Sequence, residues 1–201
     1  MSIKSLPDAP LGGGEIASGF RDRGCADFRE AAVHISDLPY GRNVGRPAFL
    51  HVLPEGRGTC SGKHALVAAL ARESRLPVSL MVGIYPMDDY NTPGVGAVLA
   101  EAGLASIPEA HCWIEHRGTP IDLTGPDAQA LFGRRRFVHV EEIAPEQAEG
   151  YKTALHRRFM EGIGVGGMDP WRVREACIAA LSGEVPPEAG TTRPVDSAPS
   201  P

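Results

Sequence analysis

Residues 56–74 read GRGTCSGKHALVAALARES, and this stretch decides the fold. It opens with a glycine-rich loop, after which Thr59 occupies the position of a helix N-cap. Apolar residues then recur at helical spacing, and Pro77 follows them as a helix-terminating residue. The sequence therefore predicts a helix over residues 60–74 whose first residue is Cys60.

At the start of this helix, Cys60 is expected to lie beside backbone N–H groups that have no partner within the helix. These groups and the positive end of the helix dipole favour a thiolate over a thiol, which a cysteine nucleophile requires. The same N–H groups can stabilise the oxyanion of a tetrahedral intermediate. A free cysteine is equally often a small buried apolar residue, so this position alone leaves both interpretations open.

The remaining pattern predicts an α+β domain over residues 20–183, with helices first and a mostly antiparallel sheet after them. The predicted helices are residues 26–37, 60–74, 95–102, 145–162 and 170–182. The predicted strands are residues 78–85, 111–116, 119–123 and 137–140. Residues 1–19 are rich in glycine and proline, and residues 184–201 are rich in proline, serine, threonine and alanine. We therefore expect a flexible N-terminal segment and a disordered C-terminal tail.

Residues 111–116 alternate in the manner of a strand, which places His111 and Trp113 on one face. If Arg117-Gly118 forms a two-residue turn, Trp113 pairs with Asp122 on the returning strand. Asp122 then lies on the same face as His111, within reach of its side chain. A carboxylate in that place can hold the imidazole in one tautomer and stabilise the imidazolium, which is the orienting role in a catalytic triad.

Three motifs in this order resemble the transglutaminase-like superfamily, which belongs to the wider papain-like fold. They are Gly58-Thr59-Cys60 at a helix start, His111-x-Trp113 on a strand and Asp122-x-Thr124 after a glycine turn. The resemblance covers about residues 55–125. It implies Cys60 as the nucleophile, His111 as the general base and Asp122 as its partner. It also implies a nucleophile helix packed on the sheet, and C-terminal helices follow in this chain.

Four further residues are predicted to contact substrate. Gly58 would let a substrate backbone approach closely, and Arg57 precedes it in the same loop. Trp113 matches the aromatic residue that follows the family's histidine. Papain-like enzymes also use an oxyanion donor upstream of the cysteine, for which Asn43 and Arg57 are the polar candidates.

The predicted reaction is attack of a thiolate on an amide or thioester carbonyl, which forms an acyl-enzyme. Water or an amine then takes the acyl group, giving hydrolysis or transamidation of a peptide, a protein or a small amide or thioester. No cofactor is needed. A second resemblance, of Arg57-Gly58-Thr59-Cys60 to the loop of arylamine N-acetyltransferases, gives an alternative acyltransferase, although residues 121–124 depart from that family's aspartate motif.

Two other classes of function compete with an enzyme. Cys60 and His64 lie four residues apart on one helical face, a spacing that can bind zinc, and His111 could add a third ligand. Against zinc, Cys112 points away from His111 on the strand, so these neighbours cannot ligate one ion together. A protein that kept this fold as a binding module without catalysis is the other alternative.

The bulk properties argue against several classes of partner. A net charge of −5 does not favour a nucleic-acid groove, and the three arginines of residues 134–136 are typical of a solvated face. The longest strongly apolar run, residues 78–85, is too short to cross a bilayer. The four cysteines show neither a disulfide framework nor a CxxC zinc pattern, which indicates a reduced, cytoplasmic protein.

Overall fold

Eight α-helices and four β-strands make up the part of the chain that the computed structural model describes, residues 3–164 and 169–182. The helices are α1 (Glu15–Arg21), α2 (Phe28–Asp37), α3 (Ala48–Glu55), α4 (Cys60–Glu73), α5 (Gly96–Glu101), α6 (Ala128–Phe132), α7 (Gly150–Met160) and α8 (Pro170–Ser182). The strands are β1 (Ser79–Met87), β2 (Ile107–His116), β3 (Thr119–Ile121) and β4 (His139–Ile143). The predicted α+β class is confirmed, and the tail predicted over residues 184–201 lies outside the described residues.

The four strands form one antiparallel sheet in the order β3-β2-β1-β4. Its longest strand, β2, lies between β1 and β3, and His111 stands near its centre, opposite Gly83 on β1. Gly83 leaves room for aromatic rings on this face: a Cβ atom there would lie 2.8 Å from Trp113 and 2.6 Å from Phe137. The sheet thus packs aromatic side chains directly beside His111.

A tight hairpin joins β2 to β3. Residues 117–118 both have positive φ, at 51° and 73°, as a two-residue type I′ turn requires. His116 lies opposite Thr119, which confirms the predicted turn. Continuing the same register by three residues places Trp113 opposite Asp122, the residue that directly follows β3.

The central helix of the core is α4, in which residues 65–71 are all buried. Alanine occupies four of these seven positions, so the helix presents a thin surface and can approach β2 closely. The Thr59 hydroxyl accepts a hydrogen bond from the N–H of Gly62 at 3.4 Å. The predicted start of this helix at Cys60 and its N-cap are therefore confirmed.

The N-terminal residues differ from the expectation of a flexible segment over residues 1–19. Leu6, Leu11 and Ala17 are buried in the same core as α4. Single apolar side chains spaced along a glycine- and proline-rich stretch anchor it to the core, and an average composition does not register them. The packed domain therefore begins well before residue 20.

The other differences concern short or interrupted elements. Helices α1, α3 and α6 are absent from the prediction, because seven, eight and five residues give little helical periodicity. The helix predicted over residues 145–162 is divided into the 3-10 turn Pro145–Gln147 and α7. β4 begins two residues later than predicted, and β2 begins four residues earlier. Among the described residues, none of the helices combines the length and apolar character needed to cross a bilayer.

Glu73, the last residue of α4, caps the start of α1. Its carboxylate accepts hydrogen bonds from the N–H groups of Ile16 at 3.2 Å and Ala17 at 3.0 Å. We expect Glu73→Ala to lower the free energy of unfolding by about 1–2 kcal/mol, because both N–H groups lose this acceptor. Urea unfolding measures the change. The control Glu101→Ala, at the exposed end of α5, should change it by less than about 0.5 kcal/mol; equal effects would contradict the capping role.

Candidate active site

Cys60 and His111 line the same cleft, which has a volume of about 350 Å³. Cys60 is the first residue of α4 and is 8% exposed. The Thr59 hydroxyl takes the N–H of Gly62, and the N–H of Lys63 bonds the carbonyl of Thr59. The N–H groups of Cys60 itself and of Ser61 therefore have no acceptor within the helix, and they lie at its start, next to the thiol.

His111 is oriented by Asp122. Its Nε2 donates a hydrogen bond to Oδ2 of Asp122 at 2.7 Å, and both side chains are buried. This bond leaves Nδ1 as the ring nitrogen available to other groups in the cleft that His111 shares with Cys60. Burial and Arg135 lower the pKa of His111, but the negative charges of Asp122 and Cys60 outweigh them and raise it.

The Asp122 carboxylate is fully saturated with donors. Its Oδ1 accepts hydrogen bonds from the N–H of Thr124 at 3.0 Å and from the hydroxyl of the same residue at 2.6 Å. Its Oδ2 accepts a second bond from Arg135 Nη1 at 3.0 Å. Burial raises the pKa of this carboxyl, but His111 and Arg135 hold it well below its ordinary value. Asp122 is therefore ionised wherever the protein is folded near neutral pH.

Arg135 corrects the interpretation of residues 134–136 as a solvated face. Its side chain is only 8% exposed and pairs with Asp122. A run of three arginines gives no signal that its middle member turns inward, so sequence reasoning missed it. The guanidinium of Arg135 is therefore a second group, besides the His111 imidazole, that stabilises the negative charge of the buried Asp122 carboxylate.

His64 ties the nucleophile helix to the segment that carries Asp122. Its Nε2 accepts a hydrogen bond from the N–H of Leu123 at 2.6 Å, which requires an unprotonated nitrogen. Its Nδ1 therefore carries the proton and donates to the carbonyl of Cys60 at 2.7 Å. Burial lowers the pKa of this imidazole to about 4, so it stays neutral.

These two bonds also bear on the zinc alternative. Both ring nitrogens of His64 are engaged by backbone groups, so neither has a lone pair free for a metal. In the part of the chain that the structure describes, no group of three His, Cys, Asp or Glu side chains is arranged to hold a metal ion. The geometry thus gives His64 a positioning role.

Lys63 is a buried cation that holds the same segment from the other side. Its Nζ donates hydrogen bonds to the carbonyls of Leu38 and Thr124, the latter at 2.9 Å. Burial lowers the pKa of Lys63 to about 8. Lys63 therefore joins the end of α2 and the Thr124 loop to the first turn of α4.

Lys152 brings a positive charge to the thiol from α7. Its Nζ donates a hydrogen bond to the Ser61 hydroxyl at 2.7 Å and lies 3.6 Å from Cys60 Sγ. Sequence reasoning missed this residue, because nothing in a polar helix far along the chain relates it to a cysteine. Burial lowers the pKa of Lys152, but the negative charge of Cys60 outweighs that effect and raises it.

Of the four cysteine thiols, Cys60 is consequently the one whose pKa is lowered. Burial raises its pKa, but Lys152, His111 and the N–H of Cys112 together lower it to about 5. The other cysteines go the opposite way: burial raises the pKa of Cys112 to about 12, that of Cys177 to about 11, and that of Cys25 above its ordinary value. At neutral pH only Cys60 is a thiolate.

Two of the residues predicted to contact substrate, Trp113 and Gly58, lie outside the cleft that holds Cys60. Trp113 is 3% exposed and stacks behind His111 at a ring-centroid distance of 6.5 Å, so it forms the wall behind the imidazole. Gly58 is buried against Val52 and Lys63, so its missing side chain serves packing. Neither lines the cleft that holds Cys60.

The two candidate oxyanion donors, Asn43 and Arg57, do not line this cleft, and Asn43 lines a second one together with Ser61 and Lys152. The side-chain amide of Asn43 donates to the carbonyl of Arg57 at 2.9 Å and to Glu55 at 3.2 Å. Arg57 is exposed, and its guanidinium faces Glu55 at 3.8 Å. Both residues stabilise the loop that precedes α4, and neither lines the cleft.

Tyr40 supplies a hydroxyl at the cleft instead. Its backbone bridges to Gly58, which brings the residue beside the loop before Cys60. A tyrosine phenol ordinarily has a pKa of about 10, well above neutral pH. It therefore keeps its proton and remains a hydrogen-bond donor. The residue sits in a turn cluster that gave no functional signal in the sequence.

Removing the charge of Lys152 tests the electrostatics of this site. We expect Lys152→Met to move the pKa of Cys60 from about 5 toward the ordinary 9.0, because the main stabilising charge is lost. A rise of about two units would reduce the thiolate fraction one pH unit above the wild-type pKa, and with it the rate of labelling by iodoacetamide, by about tenfold. Ultraviolet thiolate absorbance against pH gives the pKa directly.

Two variants serve as controls for this measurement. Lys152→Arg keeps the charge and should retain a low pKa for Cys60, and Lys4→Met, at an exposed position, should leave it unchanged. If Lys152→Met titrates like the wild type, the charge of Lys152 does not hold the thiolate.

Comparison of the chain with protein families, curated proteins and solved structures found no match. The resemblance to the transglutaminase-like superfamily therefore stays a prediction, and the function rests on the residues of the site.

Proposed function

We propose that this protein is a cysteine-dependent acyl-transfer enzyme that cleaves an amide or thioester bond through an acyl-enzyme. The observation that carries the proposal is the place of the His111 imidazole, which bonds Asp122 at 2.7 Å and lines the same cleft as the Cys60 thiol. Each of the three groups has the charge state that the reaction needs: a thiolate, an imidazole of raised pKa and an ionised carboxylate.

The reaction runs in two stages. Attack by the Cys60 sulfur forms a carbon–sulfur bond, and the carbonyl π electrons move onto the oxygen. Collapse of this intermediate breaks the bond to the leaving amine or thiol, which takes the proton from Nδ1 of His111. Water or an amine then attacks the acyl-enzyme, His111 accepts its proton, and the Cys60 thiolate leaves. The products are those of hydrolysis or transamidation.

Two donors are assigned to the oxyanion. The N–H of Cys60 lies at the start of α4, where the helix dipole also favours negative charge. The Tyr40 hydroxyl lines the same cleft and keeps its proton. They take the role that the sequence had suggested for Asn43 and Arg57.

The papain-like assignment is proposed on the arrangement of the elements. The helix that begins with Cys60 packs against β2, which carries His111, and Asp122 follows the neighbouring strand β3. The four cysteines are all free, which suits the proposed reducing, cytoplasmic location. The substrate is a peptide, a protein or a small amide or thioester.

Acylation of the purified protein by an activated thioester tests the proposal. We expect mass spectrometry to find one acyl group on Cys60 of the wild type and none on Cys60→Ala. His111→Gln should slow the acylation by about 10²–10⁴-fold, because proton transfer to and from Nδ1 is lost. Trp171→Phe, outside the cleft, should acylate at the wild-type rate. Acylation spread over all four cysteines, or unaffected by His111→Gln, would contradict the proposal.

Asp122→Asn tests the orienting role separately. The uncharged amide can no longer raise the pKa of His111, and its NH2 group must face one of the donors that now converge on the carboxylate. We expect acylation at least about 10²-fold slower, and the upper pH limit of turnover should shift to lower pH with the pKa of His111. Asp8→Asn, at an exposed ion pair, should change neither the rate nor the pH profile. A slower rate with an unchanged pH profile would indicate a structural role alone.

A further inference from the structure

Apolar side chains form most of the wall of the cleft beside Cys60. They come from β1, from the loop that follows it, from α6 and from α8: Tyr85, Met87, Pro93, Leu131, Ile178 and Leu181. The volume of about 350 Å³ is at the small end of the range for ligand pockets. The cleft is therefore sized for one small group next to the thiolate.

The charged side chains that line this cleft are engaged by protein partners or lie in water at its rim. Glu109 is bound by Arg174 through two hydrogen bonds of 2.7 Å, which hold the pKa of its carboxyl at about 2 against the effect of burial. Arg135 donates to Asp122 through Nη1 at 3.0 Å, and its Nε, which has no hydrogen-bond partner, is buried away from solvent. Asp127 is exposed at the rim, where water screens it. A charged acyl group would lose its hydration here without gaining a partner.

One large apolar side chain of the cleft is still in contact with water. Leu181 is 43% exposed and lines the cleft that contains Cys60. A hydrocarbon group bound beside the thiol would cover this surface. Each methylene that becomes fully buried strengthens binding by about fourfold.

We infer that the acyl donor carries a neutral, apolar acyl group of about six to eight carbon atoms, which lies in this cleft while its carbonyl reaches Cys60. The inference rests on the proposed acyl transfer and adds the chemical class of the group transferred. Selectivity arises because the apolar wall favours a longer chain and the paired charges disfavour a charged one.

A series of thioesters with one leaving group, N-acetylcysteamine, tests the inference. The acyl groups are acetyl, butanoyl, hexanoyl and octanoyl, together with a six-carbon chain ending in a carboxylate and one ending in an ammonium group. We expect the second-order rate of Cys60 acylation to rise by at least about tenfold from acetyl to hexanoyl. Both charged six-carbon donors should react at least about tenfold more slowly than hexanoyl.

A matched pair of variants locates the effect. Leu181→Gln should reduce the ratio of hexanoyl to acetyl rates by about threefold or more, because a polar group replaces part of the apolar wall. Leu50→Gln makes the same change at a side chain of nearly equal exposure, 45% against 43%, outside the cleft, and should keep the wild-type ratio. Both positions are exposed enough for the variants to fold.

The possible outcomes separate this inference from the proposed function. Equal rates across the series, or a faster reaction with a charged donor, would overturn the inference and leave acyl transfer in place, since Cys60 would still be acylated. If no donor acylates Cys60 while iodoacetamide still labels this residue, both the inference about the acyl group and the proposed acyl transfer are wrong. A chain-length preference that Leu181→Gln does not alter would place the acyl group outside this cleft and overturn the inference as well.

Discussion

The buried carboxylate of Asp122 is the group on which the rest of the site depends. An ionised carboxyl loses several kcal/mol of hydration on burial, so it is stable in this place only if donors and positive charges surround it. His111, Arg135 and Thr124 provide them, with hydrogen bonds of 2.6–3.0 Å. Once these partners are fixed, the orientation of the imidazole is fixed too. Its other ring nitrogen, Nδ1, makes no bond to Asp122, and the imidazole lines the same cleft as the Cys60 thiol.

Lys63 and His64, two consecutive residues of α4, attach this helix to the segment that follows β3. His64 bonds the carbonyl of Cys60 and the N–H of Leu123, and Lys63 bonds the carbonyl of Thr124. The first turn of the helix is thus attached to the residues that follow Asp122. A buried histidine and a buried lysine are costly to desolvate, and burial lowers the pKa of both, to about 4 and about 8. Their hydrogen bonds fix the position of Cys60 relative to the segment that carries Asp122. This positioning is what the two buried residues contribute.

The parts of this site that depend on local chain geometry were predictable, and those that depend on tertiary approach were not. A helix start after a glycine loop located Cys60, and strand alternation with a two-residue turn placed His111 and Asp122 on one face. Lys152 and Arg135 are lysine and arginine in polar stretches, and only the packing of α7 and the loop after α6 turns them inward. The same reason explains the N-terminal segment: isolated apolar residues carry no periodic signal, yet each finds a place in the core.

The two cations beside the Cys60 sulfur, Lys152 and the His111 imidazolium, govern different parts of the pH range. When the imidazolium loses its proton, the sulfur stays a thiolate, but the imidazole no longer has that proton to donate. Lys152 lies 3.6 Å from Cys60 Sγ, and its pKa is raised above the ordinary 10.5, so its charge persists after His111 becomes neutral. The sulfur therefore remains a nucleophile at pH values where the imidazole can no longer protonate a leaving group. It follows that the pKa of the Cys60 thiol sets the lower pH limit of the proposed reaction, whereas the pKa of His111 sets its upper limit.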